Sequence, residues 1–367
     1  MGKKPVICFF TNTHGDWGGA SRVLFANLWQ LDRDRISPLL ILPRHGPIEQ
    51  ELQDRGLRYA VWGGFTEPGK PLAYARAVWR AWRFFRREQV DAIHVNGSNF
   101  WRPAELLAAR LARIPIIAHY HLVNRQPSPA MGWCTVAIAV SRYVAEHSGP
   151  PALPKTVIYN TVNLDRFDAG RSLRAELGIG SGEVVVAYLG QIRELKGVSD
   201  FIAMARRIGA PQARFLMAGE CRDPDKYSGS YSPDQLESLA GGDSRIRYIG
   251  YRSDPENLYH TADIVVVPSR WQEPLGLISL EAGACRRPVV ATRVGGIPEV
   301  VEDDVNGYLV AAGDPAALAE RTGRLISDPA LRERMGQAGR ERVERQLTGA
   351  CVRAFEDLLV ETAAQRA

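Results

Sequence analysis

The chain lacks any long apolar run. Its 367 residues contain no stretch of about 18 consecutive apolar residues, the length that a membrane-spanning helix needs. The first ten residues carry two lysines ahead of an apolar run that is too short for a signal peptide. We therefore expect a cytoplasmic protein in which residues 6–10 form a buried strand.

Cysteine is scarce. The five cysteines are far apart in the sequence, odd in number and without a Cys-x-x-Cys pair. This distribution argues against a disulfide framework and against a zinc site, and it is typical of a reducing compartment. Cys8, Cys134 and Cys285 lie in apolar surroundings, which predicts small core residues.

A large charge excess is also missing. The 46 lysines and arginines against 41 aspartates and glutamates give a formal net charge of +5. This mild excess suits an anionic ligand or an anionic membrane surface, and no nucleic-acid-binding motif accompanies it. We therefore expect no nucleic-acid partner.

What the chain does contain is an alternation of short apolar runs with amphipathic segments. Strands separated by helices predict parallel sheets that are covered on both faces. The predicted strands form a first series at residues 6–10, 39–42, 59–61, 92–95, 114–119, 135–140 and 156–158, and a second at residues 184–189, 215–218, 246–249, 264–267, 289–291 and 307–310. A polar, turn-rich stretch at residues 160–182 separates the two series. The chain is therefore predicted to be an α/β protein with two doubly wound domains, whose ligands bind outside the carboxyl ends of the strands.

The most informative segment follows the predicted strand at residues 264–267. Glu273 and Glu281 stand eight positions apart, and a helix is predicted to begin after Pro274. The free N–H groups of residues 275–277 then form a helix N-terminus, which suits a phosphate, and carboxylates accept hydrogen bonds from sugar hydroxyls. The segment therefore suggests a nucleotide-sugar site, and the alternative is a pair of solvated surface charges.

This segment resembles the C-terminal signature of retaining glycosyltransferases of the GT-B fold, the large family that includes bacterial mannosyl- and glucosyltransferases. The matching residues are Pro268-Ser269, Glu273, Gly276-Leu277, Glu281-Ala282, Pro288-Val289-Val290-Ala291 and Gly295-Gly296-Ile297-Pro298-Glu299, followed by Asn306-Gly307-Tyr308-Leu309-Val310. The resemblance implies two Rossmann-like domains that face a cleft. It also implies an acceptor-side domain over residues 1–165, a nucleotide-sugar-binding domain over residues 166–346 and a last helix over residues 347–367 that crosses back to the first domain.

Two loops are candidates for contact with the donor diphosphate. The first, at residues 13–20, is rich in glycine but is not Gly-x-Gly-x-x-Gly, so a nicotinamide site is not supported. The resemblance implies that Gly19 in this loop approaches the diphosphate. The second loop carries Arg193 and Lys196, and cations after a strand suit a diphosphate. Lys196 matches the family, whereas Gln191 stands where the family usually has arginine, so Arg193 is the candidate replacement.

His119 and His121 lie two positions apart on a predicted strand, so both imidazoles point to one side. Read from the residues alone, the pair is half of a metal site or two structural histidines, and no third ligand cluster accompanies it. The resemblance places His121 beside the transferred sugar and His94 nearer the core. The two Asp-x-Asp triplets, at residues 32–34 and 223–225, are interpreted as surface turns, so no metal is expected.

The predicted helix at residues 74–88 is basic and amphipathic. Arg76, Arg80, Arg83 and Arg87 share one face, and aromatic residues occupy the opposite face and its borders. Such a helix can lie on an anionic bilayer, or it can cover the sheet with its arginines in solvent. Peripheral membrane contact and a plain covering helix both remain open from the sequence.

Together, the residues and the resemblance predict a retaining, metal-independent glycosyltransferase of polysaccharide biosynthesis that needs no cofactor. It would move a sugar from a UDP- or GDP-linked donor to a glycan or a lipid-linked acceptor. By resemblance, Glu273 holds sugar hydroxyls, Glu281 holds the ribose, and the amides of Leu275, Gly276 and Leu277 contact phosphate. The alternatives are a non-catalytic nucleotide-sugar-binding protein and an inverting enzyme or nucleotide-sugar epimerase of the same architecture.

Overall fold

Two parallel β-sheets organise the chain. The structure, a computed structural model, describes residues 3–11, 19–62, 70–97, 102–124 and 128–366. Residues 1–161 together with residues 349–367 form the first unit, and residues 162–348 form the second. One sheet of seven strands lies in the first unit, and one of six strands lies in the second.

The first unit is a sheet flanked by helices. Its strands are β1 (Val6–Phe10), β2 (Ser37–Leu42), β3 (Arg58–Val61), β4 (Val90–Asn96), β5 (Ile116–Tyr120), β6 (Val136–Ala139) and β7 (Lys155–Val157), and its first helices are α1 (Gly19–Gln30), α2 (Ile48–Asp54), α3 (Pro71–Arg87), α4 (Pro103–Leu111) and α5 (Arg142–His147). The strand order is β3-β2-β1-β4-β5-β6-β7, and every pairing is parallel. Every residue of β1 and β5 is buried, which explains why β1 is a continuous apolar run.

The second unit repeats this plan with six strands. They are β8 (Val184–Leu189), β9 (Ala213–Ala218), β10 (Ile246–Tyr248), β11 (Ile264–Val267), β12 (Val289–Thr292) and β13 (Gly307–Val310), in the order β10-β9-β8-β11-β12-β13. The helices are α6 (Leu164–Asp168), α7 (Val198–Arg207), α8 (Pro233–Ala240), α9 (Pro255–Thr261), α10 (Leu277–Ala284), α11 (Ile297–Val300), α12 (Pro315–Ser327) and α13 (Pro329–Gln346). In the described ranges, no helix combines the length and the apolar character that crossing a bilayer requires.

The C-terminal helix, α14 (Gly349–Ala364), belongs to the first unit. Its residues Phe355 and Leu359 are fully buried in the apolar core of that unit. Full burial of a side chain such as Phe355 contributes about 1.5–3 kcal/mol. Glu356 adds polar contacts, because its carboxylate accepts hydrogen bonds from the Asp32 N–H at 2.7 Å and from Arg35 Nη1 at 3.0 Å. The chain therefore returns to its first sheet through both apolar packing and ion pairing.

The division between the units falls after Thr161. The domain boundary predicted from the sequence lies a few residues later, at residue 165. Helix α6 accounts for the difference. Asn163 caps this helix through its side chain, and Phe167 packs its ring 5.8 Å from that of Tyr259. The Nε2 atom of His260 lies 2.7 Å from the Phe167 carbonyl oxygen. These contacts tie α6 to the second unit.

All five cysteines are free thiols. Cys8, Cys285 and Cys351 are buried, whereas Cys134, expected in the core, is only half-buried. Burial raises the pKa of Cys134 and of Cys285 to about 12. Because the thiolate is the reactive form, neither residue offers a nucleophile at neutral pH.

Candidate functional site

Two charged side chains meet at the carboxyl edge of the second sheet. Strands β8 and β11 are adjacent and parallel, so the loops that leave their carboxyl ends lie side by side. Lys196 follows β8, and Glu273 follows β11. Lys196 Nζ donates to Glu273 Oε1 at 2.6 Å, and Ser269 Oγ donates to the same oxygen at 2.9 Å. The side chains of Lys196 and Glu273 keep 26% and 14% of their exposure, so solvent reaches this ion pair.

The backbone of Glu273 is held by the turn that follows β12. The Gly296 N–H donates to the Glu273 carbonyl at 2.7 Å, and the Gly295 N–H donates to Gln272 Oε1 at 2.8 Å. Gly295 has a φ of +54°, and a Cβ atom at this position would lie 2.0 Å from the Glu273 carbonyl oxygen. Only glycine satisfies both the left-handed conformation and this close approach. The glycine pair therefore sets the position of the Glu273 backbone.

Helix α10 begins at Leu277, four residues after Glu273. Leu275 and Gly276 are buried, Leu277 is half-buried, and Leu277 is the first helical residue. The first N–H groups of a helix have no partner within the helix, and the helix dipole favours an anion beside them. The amides predicted from the sequence thus stand at a helix N-terminus only a few residues from Glu273. This arrangement can bind a phosphate.

Glu281 lies in the second turn of α10 and is half-buried. The hydroxyl of Tyr259 donates to Glu281 Oε2 at 2.7 Å. Tyr259 is itself fully buried, so it offers a fixed donor to one carboxylate oxygen. The pairing with Tyr259 could not be read from the sequence, because Tyr259 lies on α9, on the far side of β11 in the chain.

The guanidinium of Arg193, the proposed replacement for an arginine at position 191, does not contact the Lys196–Glu273 ion pair in this structure. Its Nη2 donates to the Ser228 carbonyl at 3.2 Å, and its Nε is buried without a hydrogen-bond partner among the described residues. Gln191 is exposed, and its carbonyl accepts the Tyr188 hydroxyl at 2.7 Å. The guanidinium of Arg193 therefore contacts the loop around Ser228 rather than the Lys196–Glu273 pair.

Arg270 ties together the loops that follow β8 and β11. Arg270 Nε and Nη2 donate to the two oxygens of Asp200, each at 2.7 Å, and Arg270 also forms an ion pair with Glu194. Glu194 in turn accepts the Tyr231 hydroxyl at 2.5 Å. Since Glu194 begins the short turn that ends at Lys196, this network positions Lys196. The residues of this network come from separate segments of the chain, so no local sequence motif predicts their contacts.

In the first unit, three histidines form a buried cluster beside the carboxyl end of β4. His119 and His121 stack with ring centroids 4.1 Å apart, and His94 Nε2 lies 3.1 Å from His119 Nδ1. Burial lowers the pKa of His94 and of His121 to about 3, and it lowers the pKa of His119 well below its usual value. The side chain of Phe355 packs against the rings of His94 and His119. The three imidazoles are therefore neutral at pH 7.

Asn96 fixes which nitrogen of His121 carries the proton. Asn96 Nδ2 donates to the Ala20 carbonyl at 3.2 Å, and because a carbonyl only accepts, the amide orientation is determined. Asn96 Oδ1, 2.7 Å from His121 Nε2, can then only accept. The proton is therefore on Nε2, which leaves the lone pair on Nδ1. Gly19 begins α1 directly before Ala20, and residues 13–18 of its loop lie outside the described residues.

The carboxylate triplets form local turns. Asp32 Oδ1 accepts the Asp34 N–H at 2.7 Å, and Asp223 Oδ1 accepts the Asp225 N–H at 3.0 Å. Within the part of the chain that the structure describes, no group of three or more His, Cys, Asp or Glu side chains is arranged to hold a metal ion. This applies also to the cluster of His94, His119 and His121, which is not arranged to hold a metal ion.

Apart from Arg193, the residues named from the sequence fall into two groups. Lys196, Glu273 and the amides of residues 275–277 come together at one edge of the second sheet, with Glu281 one turn further along α10. Gly19 and His121 belong to the first unit, where Ala20 and Asn96 connect them.

Two family models match the chain. Residues 171–342 match the model "Glycosyl transferases group 1", and residues 17–166 match the model "Glycosyltransferase Family 4". Each match lies largely in one of the two structural units.

Curated relatives carry the description D-inositol 3-phosphate glycosyltransferase. The protein from Saccharomonospora viridis is 36% identical over 317 residues, which is 76% of this chain and 72% of the relative. The protein from Streptomyces bingchenggensis is 29% identical over 313 residues, covering 76% of this chain and 68% of the relative. The chain spans only 43% of the length of the relatives matched in three Mycobacterium strains.

Solved structures share the fold. A glycosyltransferase from Rickettsia africae superimposes with a TM-score of 0.86 at 18% identity, covering 99% of this chain and 100% of that chain. Anabaena HepE, solved in complex with UDP and glucose, gives a TM-score of 0.76 at 23% identity and covers 98% of this chain and 99% of its own. At such identities the likeness establishes the fold alone.

Proposed function

The chain belongs to the group 1 glycosyltransferases with the GT-B fold, and we propose that it transfers a hexosyl group from a UDP- or GDP-linked donor with retention of configuration. The acceptor in this proposal is a glycan or a lipid-linked glycan, as in polysaccharide biosynthesis. The reaction needs neither a metal ion nor a cofactor beyond the donor.

The contact between Lys196 and Glu273 carries the proposal. A nucleotide sugar joins its diphosphate to its sugar through one glycosidic oxygen, so the protein groups that recognise these two parts must be neighbours. Lys196 suits the phosphate, Glu273 suits the sugar hydroxyls, and their side chains are 2.6 Å apart. The two carboxylate oxygens and the ammonium can exchange their mutual contact for contacts to such a ligand.

Cleavage of the glycosidic bond places new negative charge on the diphosphate. The N–H groups of residues 275–277 and the ammonium of Lys196 would stabilise that charge, because both are fixed before the ligand arrives. Retention would follow from attack on the face that the diphosphate leaves, with a phosphate oxygen taking the proton of the acceptor. No covalent intermediate with Glu273 is required.

The remaining roles follow the same chemistry. Glu281, oriented by Tyr259, would accept hydrogen bonds from the ribose hydroxyls. His121 would contact the transferred sugar, with the lone pair on Nδ1 accepting a hydrogen bond from a sugar hydroxyl. Gly19 and Arg193 remain proposed diphosphate contacts, and Arg193 would first have to leave the Ser228 carbonyl.

The donor class can be tested by thermal unfolding with UDP, GDP, ADP and NAD. A ligand at ~100 times its Kd stabilises the folded state by ~2.7 kcal/mol, which raises the melting temperature measurably. We expect stabilisation by UDP or by GDP only. Stabilisation by NAD alone would overturn the proposal. UDP-glucose is the first donor to test, because a second HepE structure holds it, and an inositol phosphate is the first acceptor, because the curated relatives are named for it.

The stereochemistry separates the proposed mechanism from its rivals. In ¹H NMR of the product, the coupling constant of the anomeric proton reports its configuration. The α configuration from an α-linked donor supports retention, and the β configuration shows an inverting enzyme. A change in the free donor without any acceptor would show an epimerase.

A non-catalytic nucleotide-sugar-binding protein is the second candidate. It is favoured by the exposed Gln191 and by the contact of Arg193 with Ser228, which leave the predicted arginine away from the Lys196–Glu273 pair. Nucleotide binding without turnover over a panel of glycan and inositol phosphate acceptors would support this candidate.

Helix α3 supports a proposal of peripheral contact with the cytoplasmic face of a membrane. Its buried face, with Val78, Ala81 and Phe85, packs on the first unit. The other face exposes Leu72 by 87% and Trp79 by 56%, together with all five arginines of the helix, and the helix contains no acidic residue. Apolar anchors among cations fit an anionic bilayer, and each cation near such a surface contributes about 1 kcal/mol.

Vesicle co-sedimentation tests this contact. We expect binding to vesicles that contain phosphatidylglycerol and none to vesicles of phosphatidylcholine alone. Trp79→Ser should weaken the binding, whereas Trp271→Ser, which alters an exposed tryptophan in the second unit, should not. Equal binding of both variants would mean that α3 is only a covering helix.

A further inference from the structure

A pocket of about 730 Å³ opens on the second unit, between the loop that joins α10 to β12 and the first turns of α13. Its charged lining comprises Arg286, Arg287, Arg332, Arg334, Asp263 and Glu333. Asp263 directly precedes β11, and the two arginines of the loop precede β12. The pocket, which we term the arginine pocket, therefore lies at the amino edge of the sheet, whereas Lys196 and Glu273 lie at its carboxyl edge.

The arginine pocket carries an excess of positive charge. Four arginines against two acidic residues leave a formal charge of +2. One of those acids is already engaged, because Asp263 pairs with Arg174 and accepts the Val185 N–H at 2.7 Å. The Asp263 charge still acts on Arg287, whereas Glu333 is exposed. Arg286 Nη1 lies 3.9 Å from Asp168 Oδ1, outside the pocket lining.

Arg287 is the unusual member of this set. Its Nε is buried, and among the described residues it has no hydrogen-bond partner. Burial lowers the pKa of Arg287, against the weaker opposing effect of the Asp263 charge. Arg287 as a whole is half-buried, but a buried N–H group without an acceptor destabilises the fold, because its lost hydration is not replaced. An anion in the pocket would supply the missing acceptor.

The loop that carries Arg287 is held rigidly. Arg286 adopts a left-handed conformation, with a φ of +56°, which is costly for a residue with a side chain. A Cβ atom on Gly336 would lie 2.1 Å from the Arg286 carbonyl oxygen, so α13 packs directly on the loop backbone. Arg332 is fixed as well, because its Nη1 donates to the carbonyls of Leu325 and Ile326 at 2.6 and 2.9 Å. The backbone of the loop that carries Arg287 and the guanidinium of Arg332 are therefore in place before any ligand arrives.

We propose that the arginine pocket binds the phosphate group of a soluble small molecule, with Arg287 as the principal contact and Arg286 and Arg334 as outer contacts. Arginine is suited to phosphate because its planar fork donates two parallel hydrogen bonds to two oxygens. The site is separate from the proposed donor site and does not depend on the transfer reaction. Its occupation would replace the hydration that Arg287 loses.

Thermal unfolding in inorganic phosphate tests the proposal, with sodium chloride at equal ionic strength as the salt control. We expect phosphate, and not chloride, to raise the Tm by about 2–4 °C when it exceeds its Kd several-fold. Lys196→Ala should keep this rise, which shows that the phosphate does not act at the donor site. Equal shifts in phosphate and chloride would overturn the proposal.

The variant Arg287→Gln gives a double readout. Removal of the buried Nε–H group that lacks an acceptor should raise the Tm in the absence of phosphate, and the response to phosphate should disappear. Arg345→Gln, at the exposed end of the same helix α13, should behave as the wild type in both respects. A phosphate response that persists in Arg287→Gln would contradict the assignment.

Arg334→Gln provides a second variant in case Arg287→Gln does not fold. Arg334 is exposed, so its replacement should leave the fold intact. We expect this variant to need several-fold more phosphate for the same rise in Tm. An unchanged phosphate response in Arg334→Gln would remove it from the site and, with Arg287→Gln unable to fold, would count against the proposal.

Discussion

The carboxyl edge of the second sheet and the histidine cluster of the first unit treat ionisable side chains in opposite ways. At the edge, Lys196 and Glu273 form an ion pair that solvent reaches. In the cluster, His94, His119 and His121 are buried, and burial lowers the pKa of each. Charge is kept where an opposite charge and water support it, and it is given up where neither is present. The first region suits a charged ligand, and the second suits hydrogen bonding by neutral groups.

The largest expected effect concerns the buried cluster and the stability of the fold. The folded-state pKa values of the three histidines lie below the unfolded value of about 6.5, so the unfolded chain binds more protons once the pH falls below 6.5. Stability is therefore present in full above pH 6.5 and is lost as the pH falls from 6.5 toward 3. At pH 5.5 the loss is about 1.4 kcal/mol for each histidine, or about 4 kcal/mol in all.

Urea unfolding at pH 7.0 and at pH 5.5 measures this loss. The variant His121→Asn should lose about 1.4 kcal/mol less than the wild type over the same interval, because one titrating group is gone. His147→Asn, which removes an exposed histidine whose Nδ1 contacts a backbone carbonyl, is the matched control and should leave the loss unchanged. A loss that is equal in all three proteins would mean that the cluster does not titrate as its burial requires.

The second effect concerns catalysis at the charged edge. Glu273→Gln keeps the size of the side chain but removes its charge and half of its acceptor capacity. We expect kcat/KM for sugar transfer to fall about 10²- to 10³-fold, the range observed when one preorganised polar group is removed from an active site. Glu320→Gln, an exposed change on α12, is the control. Turnover within a few-fold of wild type in Glu273→Gln would remove the central assignment.

A smaller effect is expected for the other half of the ion pair. Lys196→Ala removes a charged donor to the diphosphate, and such hydrogen bonds contribute about 1.5–3 kcal/mol. We expect the Kd for the nucleoside diphosphate to rise about 10- to 100-fold in calorimetry. Lys226→Ala, which alters an exposed lysine in the loop after β9, should leave the Kd unchanged. An unchanged Kd in Lys196→Ala would place the diphosphate elsewhere.

The smallest expected effect concerns the hydrogen bond between Asn96 and the neutral imidazole of His121. If Asn96 holds His121 in the Nε2–H form, Asn96→Ala should lower kcat/KM about 5- to 10-fold, the equivalent of one neutral hydrogen bond. In a His121→Ala background the same substitution should cost nothing further. Asn96→Asp should favour the charged imidazole, so its activity should decline with falling pH sooner than that of the wild type. Additive losses in the double variant would show that the two residues act separately.

The strands could be predicted because their signal is local. The bounds of β1, β8, β11 and β13 agree with the predicted segments, since each is a short run of buried residues on a parallel sheet. The start of helix α10 was predicted from the sequence; the helix ends at Ala284, two residues before Arg286 turns left-handed. Such turns depend on what packs against them, here Gly336 on α13.

The candidate site could be predicted only in part. Lys196 and Glu273 were named for ligand contacts from local motifs, and the structure shows that they contact each other. Arg270 and Asn96 were missed as positioning groups, because their partners lie on other elements of the sheet. No spacing rule in one sequence connects residues that only the strand order brings together.

The sequence by itself determined the α/β class, the two series of strands and the loops that carry charged residues after them. Periodicity and local motifs encode these features, since burial on a parallel sheet requires continuous apolar runs. Only the tertiary structure decided which protonation form His121 adopts, which loop Arg193 contacts and that the buried Nε of Arg287 has no acceptor among the described residues. These outcomes depend on atoms that are distant in the chain and within about 3 Å in space, where the energies of hydrogen bonds and desolvation are set.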